Sequence, residues 1–287
     1  MSKINYKNRK NNYKNNQNKT FPKEVITNMN HYFNVGYYSF LDNKDLTYSN
    51  LNTKTEKESN DRFNIINKNK AIVNYKYSKN LLPVKNYTQK IKLKVTYPGL
   101  LIGIGNSHEV GITGEIKLGF TFDYVTGLPY IPGSSVKGIL LSAFAYQDFI
   151  LDQLNGNEII NSMENKEQLV KLIADSIFGS NEDKPGTDVF MDSFVIPNNQ
   201  SLLELDYLAP HHENPDLNNL SGVSVLVMLR VKPDSEINFE FILKDSNIVI
   251  NDRTYVITVD EKLNLFEKIF KEFGVGAKTD VGYGYVV

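Results

Sequence analysis

Gly127-Leu128-Pro129-Tyr130-Ile131-Pro132-Gly133-Ser134-Ser135-Val136-Lys137-Gly138 decides how the rest of the chain reads. Its prolines and glycines mark a conformationally restricted loop. Directly after it Val136, Ile139, Leu140, Ala143 and Phe144 recur at the spacing of an amphipathic helix. Ser134 or Ser135 is placed to cap that helix, and Gly133 lets another backbone approach where a Cβ would intrude. A helix N-terminus with free N–H groups, two hydroxyls and Lys137 suits a phosphate. The pattern predicts one helix over about residues 134–154.

A second glycine-rich run closes the chain: Gly274-Val275-Gly276-Ala277-Lys278-Thr279-Asp280-Val281-Gly282-Tyr283-Gly284-Tyr285. It follows a helix that Asp260 is expected to cap, with Leu263, Phe266, Ile269, Phe270 and Phe273 on one face. A dinucleotide fingerprint precedes its helix, so this run is not one. Four glycines suit a wrapped strand of RNA, with Lys278 for phosphate and Tyr283 or Tyr285 for stacking. A helix C-cap followed by a bulged edge strand explains the same glycines without a ligand.

Between the two runs, residues 90–97 alternate Ile91, Leu93 and Val95 with polar neighbours, as a half-buried strand does. Residues 164–177 read as a helix stopped by Gly179, and 188–196 as a strand. Residues 223–231 and 237–243 are expected to form a hairpin across Pro233-Asp234, with a shorter one at Asn251-Asp252. A last strand covers 283–287. Reduced to its core, the order is strand, helix, strand, strand, helix, strand. That is the α+β, ferredoxin-like (split βαβ, RRM-like) arrangement, which several RNA-binding families use. The expected organisation is a basic low-complexity tail over 1–20 and a polar, aromatic-dotted extension over 21–89. The domain itself runs over 90–287, with insertions at about 155–187 and 201–222. The extension reads as partly helical, packing on the body or on a neighbour.

The net charge of −1 conceals an asymmetry. Residues 1–90 carry 17 Lys and Arg against 6 Asp and Glu, and the remainder 15 against 27. A basic arm on an acidic body suits an anionic partner, although a solvated Asn- and Lys-rich tail has the same composition. The absence of cysteine excludes disulfides and thiolate metal sites. No signal-peptide core or membrane-length apolar run is present in the sequence, so a cytoplasmic protein without a membrane partner is expected.

The loop lacks the Gly-Lys-Ser/Thr order of a phosphate-binding NTPase. His211 and His212, near Asp206 and Glu213, form no ligand set at metal-binding spacing, and His108 beside Glu109 sits in a loop. His31 is isolated. Asp123 and Asp192 pair as carboxylates only if the fold brings them together. No cofactor or metal is expected.

Together the two glycine-rich motifs resemble the RAMP superfamily of CRISPR effector proteins, and within it the sixth-subunit type of the Cmr (type III-B) complex. In that family GLPYIPGSSLKG opens the first helix and GVGAKT-x-GYG closes the chain. The likeness extends to Ile177-Phe178-Gly179, to residues 188–194, and to Asp206-Tyr207-Leu208-Ala209-Pro210-His211. It implies a non-catalytic subunit that holds the 3′ part of the guide RNA and stacks on neighbouring RAMP subunits. Guide RNA and those subunits are the implied partners, with target RNA as a further candidate. The RNA-binding candidates are Gly133, Ser134, Ser135, Lys137 and Gly138 in the loop, and Gly274, Gly276, Lys278, Gly282, Tyr283 and Gly284 in the tail. Leu141 stands where the family often has arginine, which removes one expected contact. Two other readings remain open. One is a metal-independent endoribonuclease using His108 or His211 as acid–base, or Asp123 to orient the attack. The other is a protein-only interaction module.

Overall fold

The computed structural model describes residues 25–41, 56–81, 88–103, 110–180, 184–208 and 225–287. The tail over 1–20, His108, His211 and His212 lie outside these residues.

Strand β1 (Gln89–Lys94) shows the alternation expected of it, with Ile91 and Leu93 buried and Lys90, Lys92 and Lys94 exposed. It pairs antiparallel with β9 (Glu236–Ile242), register Lys92↔Asn238. Strand β6 (Ser193–Val195) pairs with the other edge of β9, and β2 (Tyr130–Ile131) with β6. Beyond β1, the backbone groups of Lys94 and Thr96 bond to Val287 and Tyr285, so the last residues form the opposite edge of the sheet. All these pairings are antiparallel.

Helices pack on one face. Helix α3 (Gly133–Ala143) follows β2; α4 (Gln147–Gln153) and α5 (Lys166–Phe178) come next, and α6 (Val259–Phe273) precedes the tail. On α6 the rings of Phe270 and Phe266 lie 4.3 and 5.5 Å from those of Phe239 and Phe241 on β9. Burying each such ring contributes about 1.5–3 kcal/mol, so α6 is a principal source of cohesion. The single helix expected over 134–154 is two: the chain turns at Phe144–Tyr146, and the rings of Tyr146 and Phe149 then close on Phe273. Thr258, not Asp260, caps α6, through a reciprocal capping box with Glu261. Asn165 caps α5, which ends at Gly179 as expected, where β3 (Gly179–Ser180) pairs antiparallel with β4 (Lys184–Pro185).

Strand β8 (Leu226–Val231) does not pair with β9. Its partner is β7 (Leu203–Leu208), register Leu205↔Leu229. The other edge of β8 bonds to Leu100 through both backbone groups. That edge is available because the chain swings out of the first sheet at Gly99 (φ +125°), where a Cβ would lie 2.5 Å from the Val231 carbonyl oxygen. The turn at Asp234 therefore crosses between sheets. Strands β10 (Ser246–Ile250) and β11 (Arg253–Ile257) form the short hairpin, with Asn251 and Asp252 both at positive φ.

The described part of the N-terminal extension packs on the body. Helix α1 (Met29–Asn34) buries Met29, Tyr32 and Phe33, and α2 (Glu56–Asn74) buries Ile65 and Ile72. Tyr37 is fully buried, its hydroxyl donating to Asn69 Oδ1 and accepting from the Ile116 N–H. Glu115, also fully buried, accepts from three backbone N–H groups (Val110, Gly111, Ile112) and from the Tyr38 hydroxyl. A carboxylate without those donors would cost several kcal/mol at such a depth. No described helix is long and apolar enough to cross a membrane.

Candidate nucleic-acid interface

The predicted site residues occupy two regions at opposite edges of the sheet. Strand β2 leads directly into α3 at one edge, while the tail pairs with β1 at the other. Four strand spacings of about 4.8 Å separate those edges, roughly 19 Å.

At the first edge, helix α3 begins at Gly133 with Pro132 as its N-cap, so neither Ser134 nor Ser135 caps it. Both serines are exposed. The Gly133 N–H donates to Asp192 Oδ1 at 2.8 Å, so a carboxylate of the chain itself occupies the first donor of the helix. A β-bulge places that carboxylate. Phe190 opposes Phe241 and Phe194 opposes Asn238, leaving four steps on one strand against three on β9. The expected strand over 188–196 is thus broken into β5 (Val189–Phe190) and β6, and Asp192 projects from the break. A Cβ on Gly133 would sit 2.2 Å from the Phe190 carbonyl oxygen, which makes glycine obligatory for this close approach.

Lys137 is half-buried and donates to the Phe178 carbonyl oxygen at 2.7 Å, closing the C-terminus of α5. Gly138 differs from the other glycines of the motif. It lies within α3, is exposed, and has nothing within 4 Å of the position a Cβ would take. The fold does not require glycine there, yet glycine inside a helix costs about 1 kcal/mol relative to alanine.

At the second edge, Gly274 caps α6 (φ +72°). Gly276 and Gly284 sit where a Cβ would meet Leu101 O at 2.5 Å and Val275 O at 1.8 Å. The N–H groups of Val275, Ala277, Gly282, Tyr283 and Gly284 all bond within the fold. These glycines serve packing and turn geometry. Tyr283 is buried and its hydroxyl donates to Asp206 Oδ2. Burial first, then the bond to Asp206 and its charge, push the phenol up to about 12 against the opposing pull of Arg230. Arg230 in turn donates to Asp206 at 3.0 Å, Glu204 at 3.2 Å and the Pro98 carbonyl oxygen at 2.5 Å. The exposed side chains of the tail are Ala277, Lys278 (at φ +60°), Asp280, Val281 and the ring of Tyr285. Lys278 also borders an apolar cleft of about 250 Å³ lined by Leu101, Leu118 and Phe120.

Asp123 is held in its own turn, accepting from the N–H and hydroxyl of Thr126 at 2.6 Å each. Among the described residues, no three His, Cys, Asp or Glu side chains are grouped to hold a metal ion. Sequence reasoning missed Asp192 as a helix partner and Asp206–Arg230–Tyr283 as a latch, since both depend on pairings far apart in the chain.

The sequence pattern of the RAMP superfamily matches residues 92–287. The chain belongs to the RAMP superfamily. Both glycine-rich motifs fall inside the matched span, and the packed extension over 25–81 precedes it. Among solved structures, this RAMP protein is similar to a chain of the type III-B Cmr-beta complex bound to cognate target RNA. The two share 22% identity and a TM-score of 0.54, over 90% of this chain and 86% of that one. It also matches Cmr6 from Pyrococcus furiosus at 20% identity and a TM-score of 0.38, over 71% of this chain and 99% of that one. Among curated proteins, none matches.

Proposed function

We propose that this RAMP protein is a non-catalytic subunit of a type III-B (Cmr) ribonucleoprotein, holding the 3′ part of the guide RNA and stacking on neighbouring RAMP subunits. Superfamily membership supports the class, and the shape shared with a chain of the Cmr-beta complex supports the assembly. The strand order, tail–β1–β9–β6 with helices on one face, supports the split βαβ reading of the domain.

The observation that carries the RNA reading is Gly138. A helix-interior glycine with open space around it is a cost to the fold alone. A polynucleotide backbone lying against α3, beside the hydroxyls of Ser134 and Ser135, gives it a purpose. Lys278 supplies a second phosphate contact at the far edge. Lys137 acts on this surface through α5 rather than by reaching a phosphate itself. Asp192 beside the helix N-terminus keeps phosphate off the first N–H and directs the strand toward the exposed serines. The engagement of Asp123 within its own turn favours a structural part over one in orienting an attack.

The test is guide-RNA retention by the assembled complex as salt is raised, with Ser134→Ala, Ser135→Ala and Lys278→Ala combined. Retention is expected to fall alike for unrelated guide sequences, with the salt slope shallower by about 0.7 for the one cation removed. Unchanged retention and slope in a fully assembled complex would refute the grip. Target cleavage lost on Asp123→Asn, with assembly intact, would favour the nuclease reading instead.

A further inference from the structure

The face of the sheet turned away from α6 carries side chains that the proposed grip does not use. Four of them stand in one cross-strand row, because each pair is in direct register: Lys92↔Asn238, Asn238↔Phe194 and Phe194↔Tyr130. The row spans β1, β9, β6 and β2, about 14 Å at ordinary strand spacing. Residues alternating with these, Leu93 and Phe239 among them, are buried on the helix side, so the row itself points the other way.

Each position in the row has a distinct chemistry. The rings of Phe194 and Tyr130 are stacked, 5.6 Å between centroids and 26° between planes, and both are half-buried. Asn238 is 7% exposed; its Nδ2 donates to Glu240 Oε1 at 2.6 Å, while its Oδ1 has no partner. Glutamate accepts and cannot donate when ionised, which fixes the amide orientation and leaves Oδ1 as the unpaired acceptor. Such a buried acceptor costs about 1–3 kcal/mol if nothing bonds to it.

Lys92 and Lys94 are exposed on the same face, and no ion pair involves either among the described residues. Lys90 differs: it pairs with Glu240 at 3.4 Å. Glu236 stands opposite Lys94, so the cationic surplus is small and confined to the β1 side. Toward β2 the surroundings are acidic, with Asp123 and Asp192 near the Tyr130 hydroxyl. Phosphates are therefore favoured over β1 and repelled over β2.

We infer that this row is a stacking platform for one nucleotide of single-stranded RNA. The base lies on the Phe194–Tyr130 pair, and its flanking phosphates meet Lys92 and Lys94. An aromatic ring beside a cationic strand is a combination that binds bases without demanding a sequence. The inference rests on the RNA-holding reading, but concerns a surface separate from α3 and the glycine-rich tail.

The test uses the full chain and a short, mixed-sequence, thiouridine-labelled single-stranded RNA. Photo-crosslinks are expected in the peptides bearing Tyr130 or Phe194. Phe194→Leu should weaken binding about tenfold, whereas Phe194→Tyr, which keeps the aromatic face, should hold it within about twofold. Lys92→Ala with Lys94→Ala should flatten the salt slope by about 1.4. Crosslinks confined to 133–138 and 274–285, with the lysine slope unchanged, would overturn the platform and leave the RNA-holding reading standing. Equal binding by Phe194→Leu and wild type would also overturn it. Absence of RNA binding by the wild-type chain and by its assembled complex would overturn both. Protection of the row by a protein neighbour, without RNA crosslinks, would assign the face to assembly.

Discussion

Replacing Gly138 with alanine should make the protein more stable and a poorer holder of RNA. The residue sits at the sixth of eleven positions in α3, and no atom comes within 4 Å of an added Cβ. Its φ is not in the left-handed region, so alanine meets no backbone penalty. What remains is helix propensity, about 1 kcal/mol in favour of alanine. For a chain of this size that raises the melting temperature by about 2 °C. On the RNA side, the methyl group would hold a polynucleotide backbone off the helix and weaken one or two hydrogen bonds. At about 0.5–1.5 kcal/mol for one such bond, the loss lowers retention some two- to tenfold. Thermal melting of the lone chain and filter retention of guide RNA by the complex read the two effects separately. A melting temperature that falls would refute the claim that α3 has free space at Gly138. One that rises while RNA retention is unchanged would refute the use proposed for that space.

Gly284→Ala should behave in the opposite way, losing more than about 3 kcal/mol in denaturant unfolding, because its Cβ would lie 1.8 Å from the Val275 carbonyl oxygen at φ +76°. Asp192→Asn should melt within about 0.5 kcal/mol of wild type, since its carbonyl oxygen still accepts from Gly133, while Asp192→Ala loses about 1 kcal/mol. Both should bind RNA more tightly at low salt, as a carboxylate beside the strand is gone. Lys262→Ala should cost about 3–5 kcal/mol by chemical denaturation, because it strands the fully buried Asp188 carboxylate that Lys262 contacts at 2.7 Å. Tyr283 predicts an alkaline limit. Its folded value of about 12 lies above the ordinary 10.0, so its contribution is complete below pH 10 and is lost as pH rises toward 12. Melting across that range should drop less for Tyr283→Phe, by about 1–2 kcal/mol.

What the sequence revealed was what neighbouring residues determine. The alternation of β1, the Asn251-Asp252 turn and the Gly179 stop of α5 each follow from a few consecutive residues. The face of α6 follows in the main, since Leu263, Phe266, Ile269, Phe270 and Phe273 all meet the core, but the buried Lys262 does not. A lysine at a core position is unreadable until its partner is known, and Asp188 lies 74 residues away. Strands β8 and β9 fail to form the expected hairpin for a related reason. Both strands and the turn are present, but Leu203–Leu208 and Leu100 take the two edges of β8 first. The same limit applies at the candidate interface. Glycine content marks both loops as special, while hydrogen bonding over long separations decides which glycines serve packing and leaves Gly138 apart. Tyr283 looked like a stacking ring from its neighbours in sequence, yet Asp206 holds it inside.

The pairing of the last residues with β1 also sets an order of events during synthesis. Val95 bridges Val286, and the backbone of Lys94 meets Val287. The outer rim of β1 therefore waits for nearly the whole domain to leave the ribosome before its partner exists. Non-local closure of this kind makes folding slow and leaves a strand rim open to wrong partners meanwhile. Lys90, Lys92 and Lys94, spaced along that strand, discourage a second nascent chain from adding to it. A codon-level slowdown would lengthen that wait before Tyr285, and charge-neutral replacements of the three lysines would make it the step at which the newborn protein aggregates.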